Sequence, residues 1–477
     1  MIRQTKIVAS LGPATDDPLV LEKMFERGVD VVRINFSHGS AEEHRARVDL
    51  VRKTAKKVGK IVAILGDLQG PKIRLERFKN SKINLVAGEV FTLDGALGEN
   101  DGDESVVGLT YKALAGDLKK GDILMLDDGN IVLKVREVNG QRIRTRVLVG
   151  GPLSDNKGIN LQGGGLSAGS LTDKDRRDIK LAASLDIDFL AISFVRSAAD
   201  VNEARALYHA EGKLASIVSK IERKEAIDNI VEITRASDVV MIARGDLGVE
   251  IGDANLPGVQ KRIIKLAREN NRVVITAKQM MQSMVENPIP TRAEVSDVAN
   301  AVMDGTDAVM LSAETAVGKH PTKVISAMSR ICMAAEIEID REKRFNLGVE
   351  FGNAEESIAM ASMYTANHFP VVAILALTES GRTALLMSRA NARIPIYAMT
   401  RSSPSARRMS IYRGVKPVEF DITQLAASGI NRAAVEWLKN AGLVEEGEQI
   451  IITRGDTSSE GGTNTMKIVR VGEVALQ

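Results

Sequence analysis

Aromatic side chains are scarce in this chain. Phe, Trp and Tyr make up 3% of its 477 residues, too few to build the stacking platforms on which nucleic-acid bases rest. There is a single cysteine, Cys332, which excludes an intrachain disulfide and a zinc site built from cysteines. Net charge is nearly absent: 64 Lys and Arg stand against 62 Asp and Glu, a balance that argues against general attraction to nucleic acid. No apolar run approaches the ~18 residues of a membrane span. The opening Met1–Lys6 leads straight into a strand-like run and has no signal-peptide core. These absences predict a cytoplasmic protein with neither a nucleic-acid nor a membrane partner. Apolar residues, at 44%, are plentiful enough for large cores, and the length suggests two to four domains at ~150 residues each.

A unit of strand, loop and helix recurs. Nearly continuous apolar, β-rich runs begin at Lys6, Val31, Ile61, Phe189, Ser216, Val239, Val273 and Ala308. Runs of that kind suit parallel strands covered on both faces. Helical periodicity fills segments between them, including 40–58, 198–211, 255–270 and 321–338. Eight such strands with alternating helices predict a closed (β/α)8 barrel over 1–69 and 169–345. Residues 70–168 interrupt the third unit with short alternating runs and turn signals such as Asn139-Gly140, the pattern of a small all-β domain. An insertion after a barrel strand sits at the face where such barrels keep their active sites, so it is placed to act as a lid. From 346 to 477 the alternation resumes separately and predicts an open α/β domain.

Polar residues gather at the C-terminal ends of the barrel strands. They are Arg33, Asn35 and Ser37 on the second, Asp67 on the third, Lys220 and Glu222 on the fifth, Arg244 and Asp246 after the sixth, Thr276 on the seventh, and Ser312 and Glu314 on the eighth. Taken singly, each is a solvated loop charge; taken together, they ring one barrel mouth. Glu222 and Asp246 are hard oxygen donors of the kind Mg2+ uses alongside substrate phosphates. Lys220 lies two residues before Glu222, on the same side of its strand, where an ammonium can stabilise charge on a transferring phosphoryl group. The pair Arg407-Arg408 reads as a solvated helix face.

At these residues the chain resembles the pyruvate kinase family, over essentially its whole length. The resemblance is carried by Arg33-Ile34-Asn35-Phe36-Ser37-His38-Gly39, Asp67-Leu68-Gln69-Gly70-Pro71-Lys72-Ile73-Arg74 and Ser219-Lys220-Ile221-Glu222. Further on it rests on Ala243-Arg244-Gly245-Asp246-Leu247-Gly248-Val249-Glu250, Thr276-Ala277-Lys278-Gln279-Met280 and Leu311-Ser312-Ala313-Glu314-Thr315. It implies transfer of the phosphoryl group of phosphoenolpyruvate to ADP, with Mg2+ or Mn2+ held by Glu222 and Asp246. It implies that Lys220 stabilises the transferring group, that Arg33 binds phosphate, and that Ala243, Arg244, Gly245, Asp246 and Thr276 receive the substrate carboxylate. Thr276 and Ser312 become candidates for a relay that protonates the enolate. Asn35, Arg74 and Lys157 would contact nucleotide. Asn35, Ser37, Asp67 and the Leu68 carbonyl match the family's monovalent-cation site. Lys72 stands where many members carry Glu, which resembles the branch that does without K+. Thr378, Ser380, Gly381, Arg382 and Thr383 match a loop that holds a phosphorylated sugar or nucleotide effector, and the family assembly implies a homotetramer. A different Mg2+-dependent barrel enzyme of phosphoenolpyruvate or pyruvate, and a non-catalytic phosphometabolite sensor, are the alternatives.

Overall fold

The computed structural model describes residues 2–278, 280–339, 350–390, 394–423, 425–426, 429–455 and 462–473. The eight apolar runs form β1 (Lys6–Ser10), β2 (Val31–Asn35), β3 (Ala63–Asp67), β4 (Phe189–Ile192), β5 (Ser216–Ile221), β6 (Val239–Ala243), β7 (Val273–Ala277) and β8 (Ala308–Leu311). Each pairs in parallel with the next, and β8 closes on β1 with Lys6 opposite Ala308. Alternate residues take opposite faces. Val8, Leu65, Phe189, Met241 and Ile275 fill the barrel interior. Ile7, Ile64, Leu190, Ile242 and Val274 pack outward under the helices. Both faces are buried, which is why these strands read as unbroken apolar runs. Some of the helices start at capping boxes: Ser40 and Glu43 form one ahead of Ala41–Lys57, and Thr291 and Glu294 form one ahead of Arg292–Asp304.

Two sheets lie between β3 and β4. One pairs Lys82–Leu85 with Gly151–Ser154; the other has six strands, with Ile131–Asn139 and Arg142–Val149 forming a hairpin at its centre. Ile131, Leu133 and Val135 are buried and join Phe91, Leu93 and Leu124 in a core separate from the barrel's. The chain enters the insertion through Gly70, at φ +65, where a Cβ would lie 2.7 Å from that of Ser193. Only glycine meets both demands there.

The C-terminal sheet holds β9 (Ala373–Leu377), β10 (Ile396–Thr400), β11 (Val415–Glu419), β12 (Gln449–Arg454) and β13 (Thr465–Arg470), in the order β11-β10-β9-β12-β13. The first four are parallel, and β13 runs antiparallel at the edge. This domain closes the barrel's N-terminal face. Ile411 joins the barrel-interior cluster, and Arg389 pairs with buried Asp307 at 2.5 Å. Arg407 is not solvated: its Nε donates to Asp188 Oδ1 at 2.6 Å, across the two domains. That contact corrects the reading of Arg407-Arg408 as a solvated face. Among the described residues, no helix is long and apolar enough to cross a membrane.

Candidate active site

Strand parity selects which side chains reach the barrel mouth. Arg33 and Asn35 share the inward register of Val31, Asp67 that of Leu65, and Lys220 and Glu222 that of Val218. The result is a buried charge cluster. Lys220 Nζ lies 3.2 Å from both Asp67 Oδ1 and Glu222 Oε1 and donates to Ser193 Oγ at 2.6 Å. Arg33 Nε donates to Asp67 Oδ2 at 2.6 Å, and its Nη1 to Ser10 Oγ at 3.0 Å. Glu222 Oε2 accepts the Phe194 amide at 2.9 Å. Burial works against the charge on Lys220, but Asp67 and Glu222 outweigh it and raise its pKa. Burial likewise opposes ionisation of Asp67, and Lys220 and Arg33 reverse that and lower its pKa. Both shifts favour the charged forms, an ammonium on Lys220 and a carboxylate on Asp67.

A second cluster forms on Asp246. Its Oδ1 accepts from Lys72 Nζ at 3.0 Å and its Oδ2 from Lys278 Nζ at 2.8 Å. Burial disfavours the charged form, but these two ammoniums hold the carboxyl well below the usual range. Asp246 belongs to the helix Arg244–Ile251, which starts directly after β6. The amides of Arg244, Gly245 and Asp246 are therefore first-turn N–H groups at the barrel mouth, able to receive an anion. The Arg244 side chain turns away to Asp297, at 2.6 Å and 2.7 Å. Nearby Glu250 is pushed up to about 7 by burial, with Glu225 adding to the shift against a hydrogen bond from the Lys224 amide.

The insertion brings its own cations to the same side. Arg74 Nη1 donates to Asn156 O at 2.8 Å, and Lys157, the next residue, pairs with Asp127 at 2.6 Å. At the second and third strands, Asn35 Oδ1 accepts the Ser37 amide at 3.1 Å and the Leu68 carbonyl accepts Ser193 Oγ at 2.8 Å.

Comparison with known proteins gives these groups a context. A family model described as "Pyruvate kinase, barrel domain" matches residues 2–325, and one described as "Pyruvate kinase, alpha/beta domain" matches 356–469. The chain belongs to the pyruvate kinase family. "Pyruvate kinase II" of Salmonella typhimurium is 54% identical to it over 98% of this chain and 99% of that protein. "Pyruvate kinase" of Haemophilus influenzae is 51% identical over 97% of each. "Pyruvate kinase" of Thermotoga maritima is 40% identical over 98% of this chain and all of that protein.

One residue expected in the site of this pyruvate kinase family member is not brought to it. Thr276 is fully buried, and its hydroxyl donates to Thr306 Oγ1 at 3.0 Å. The interior residues of β7 are Val273, Ile275 and Ala277, so Thr276 has the outward parity, its hydroxyl turned to Thr306. Lys278, beyond the strand end at φ +67, reaches the mouth instead. Ser312 has the inward parity of Met310, and its amide donates to buried Glu314 at 2.7 Å. Ser193 and Lys278 were the residues sequence reasoning missed. Ser193 shares the register of Phe189 and Ala191, a signal available in the sequence; the left-handed turn at Lys278 leaves no periodic signal.

In the C-terminal domain, Thr378 Oγ1 accepts the Gly381 amide at 3.0 Å and Ser380 Oγ the Arg382 amide at 3.4 Å. They lead into the helix Arg382–Arg389. Thr383 is buried, donating to Glu355 at 2.7 Å, and Arg382 pairs with the same carboxylate at 3.1 Å. A cavity of about 470 Å³ opens beside them, lined by Asn353, Glu355, Arg382 and Thr463.

Proposed function

We propose that the chain transfers the phosphoryl group of phosphoenolpyruvate to ADP, giving pyruvate and ATP, at the mouth of its barrel. The observation that carries this reading is Lys220, an ammonium held among Asp67, Glu222 and Ser193 at the C-terminal end of β5. A charge fixed before substrate arrives stabilises a transition state without reorganisation. Arg33 adds a second cation, its side chain 14% exposed, to bind phosphate. The first-turn amides of Arg244, Gly245 and Asp246 receive the substrate carboxylate. Loss of the phosphoryl group leaves an enolate, whose ketonisation makes the transfer favourable. Of the two candidates for the proton relay, Ser312 has the inward parity, while the Thr276 hydroxyl is engaged with Thr306.

Residues 1–69 and 169–345 form the catalytic barrel in this reading, 70–168 the lid, and 346–477 a regulatory domain. Arg74 and Lys157 on the lid, with Asn35 on β2, contact the nucleotide. Thr378, Ser380, Gly381 and Arg382 cap a site for a phosphorylated effector, and Thr383 serves it from below through Glu355.

Glu222 and Asp246 would hold Mg2+. Their chemistry fits: both are hard oxygen donors at one mouth, and their present partners there include lysine ammoniums, charges that a cation can replace. Among the described residues no three His, Cys, Asp or Glu side chains converge, which suits a metal that completes its shell with water and substrate oxygens. When bound, the cation neutralises charge on the transferring group. Replacing Glu222 or Asp246 with Ala should raise the Mg2+ concentration for half-maximal pyruvate formation by at least about tenfold, the loss of roughly 1.4 kcal/mol. An unchanged Mg2+ titration in both variants rejects them as ligands.

A further inference from the structure

Asp246 is claimed from two sides by the protein itself. Lys72, from the start of the insertion, takes Oδ1, and Lys278, from the turn after β7, takes Oδ2. Lys278 reaches it by a constrained route. Its backbone is left-handed at φ +67, a conformation that a lysine adopts at a cost. Its stem lies across Gly245, where a Cβ would stand 2.8 Å from Lys278 Cδ and 3.1 Å from its Nζ. A strained backbone, a cleared path and a 2.8 Å contact all serve one juxtaposition, an ammonium against a carboxylate oxygen at the mouth of the barrel.

We propose that Lys278 is a positioning residue that competes with the divalent cation for Asp246, so that its ammonium must leave Oδ2 before metal can be held there. The inference rests on the reading of Asp246 as a metal ligand. Two cations cannot share one buried carboxylate oxygen without repulsion, and the screening that would relieve it is weak where Asp246 is 3% exposed. The ligand-free protein should therefore bind metal more weakly than its two carboxylates alone would allow. Lys278 then acts as a brake on metal loading.

The test is direct binding of Mn2+ to the full chain without substrates, following unbound Mn2+ by its electron paramagnetic resonance signal. Lys278→Met keeps the length of the side chain and loses the charge. Lys278→Gly loses the charge and also relieves the left-handed backbone, so it guards against a folding defect in the first variant. Both should bind Mn2+ more tightly than wild type by at least about fivefold, as removal of a neighbouring like charge requires. Unchanged or weaker binding in both variants overturns the proposal. Asp246→Ala separates the two levels of the argument. If it loses the Mn2+ site while the Lys278 variants bind as wild type, the brake alone is wrong. If it binds Mn2+ as wild type does, the metal reading fails and the brake falls with it.

Discussion

A buried lysine needs partners, and Lys220 has three. With Asp67, Glu222 and Ser193 around it, the ammonium stays charged and fixed in a site that is 12% exposed. Such a charge contributes most when negative charge moves toward it in the transition state. Lys220→Ala should therefore lower kcat by roughly a hundredfold, on the scale of losing one preorganised donor, while KM changes far less. Steady-state kinetics check this, and a variant with near-normal kcat rules the role out. The inward residues of the second, third and fifth strands were legible in the sequence because a side chain's face follows from strand parity. Thr276 lies near a strand end, but parity counted from Ile275 turns it outward. Lys278 was illegible for a different reason. It lies past the strand, where one left-handed residue redirects the chain and periodicity ends.

At the scale of elements, the loop after β3 carries the most specific expectation. Lys72 is no solvated hinge charge, because its ammonium is 3.0 Å from Asp246. It brings a fixed positive charge to a mouth where Arg33, Lys220 and Lys278 already face Asp67, Glu222 and Asp246. Two unit charges ~4 Å apart interact by roughly 4 kcal/mol at an effective dielectric near 20, and on that scale the expectation is that Lys72 takes the place of a bound monovalent cation. Activity in K+-free buffer, with tetramethylammonium holding ionic strength, should stay within a few-fold of the value with K+. A drop of about two orders of magnitude, roughly 2.7 kcal/mol, refutes the substitution. The helix Arg382–Arg389 carries the regulatory expectation. A Thr378/Ser380/Thr383 triple alanine variant should lose activation by phosphometabolites that activate wild type, and activation that survives places the effector elsewhere. Thr383 already satisfies Glu355 and Thr463, so its alanine also frees a buried carboxylate. Repeating the assay with Thr378 and Ser380 alone replaced isolates the loop's part. Elements are legible where both faces are apolar, as in β6, or where burial alternates, as at Ile131, Leu133 and Val135. The edge strand Thr465–Arg470 has one side chain after another half-buried or exposed, and it left no pattern to read.

The whole molecule is a barrel with its two ends used differently. The C-terminal face gathers charge, and the N-terminal face is stoppered by the C-terminal domain. Ile411 sits among the barrel-interior residues, while Arg413 Nη1 donates to Thr5 Oγ1 at 2.6 Å and to Thr306 O at 3.0 Å. Arg389 ends the helix Arg382–Arg389, and its partner Asp307 also accepts the Val274 amide of β7 at 2.9 Å. Arg389 Nη1 also donates to Arg272 O at 2.8 Å, so that helix is tied to the floor of the barrel at more than one point. The barrel was legible from eight apolar runs, but the stopper was not, because contacts between distant segments such as Arg407 and Asp188 leave no local trace. The central claim is that this barrel mouth moves a phosphoryl group from phosphoenolpyruvate to ADP. The most direct measurement follows pyruvate and ATP together from the purified chain given phosphoenolpyruvate, with ADP and Mg2+ each supplied or withheld. The account predicts equal amounts of the two products, and neither when ADP or Mg2+ is left out. Pyruvate released without ADP, or no turnover with everything present, would contradict it.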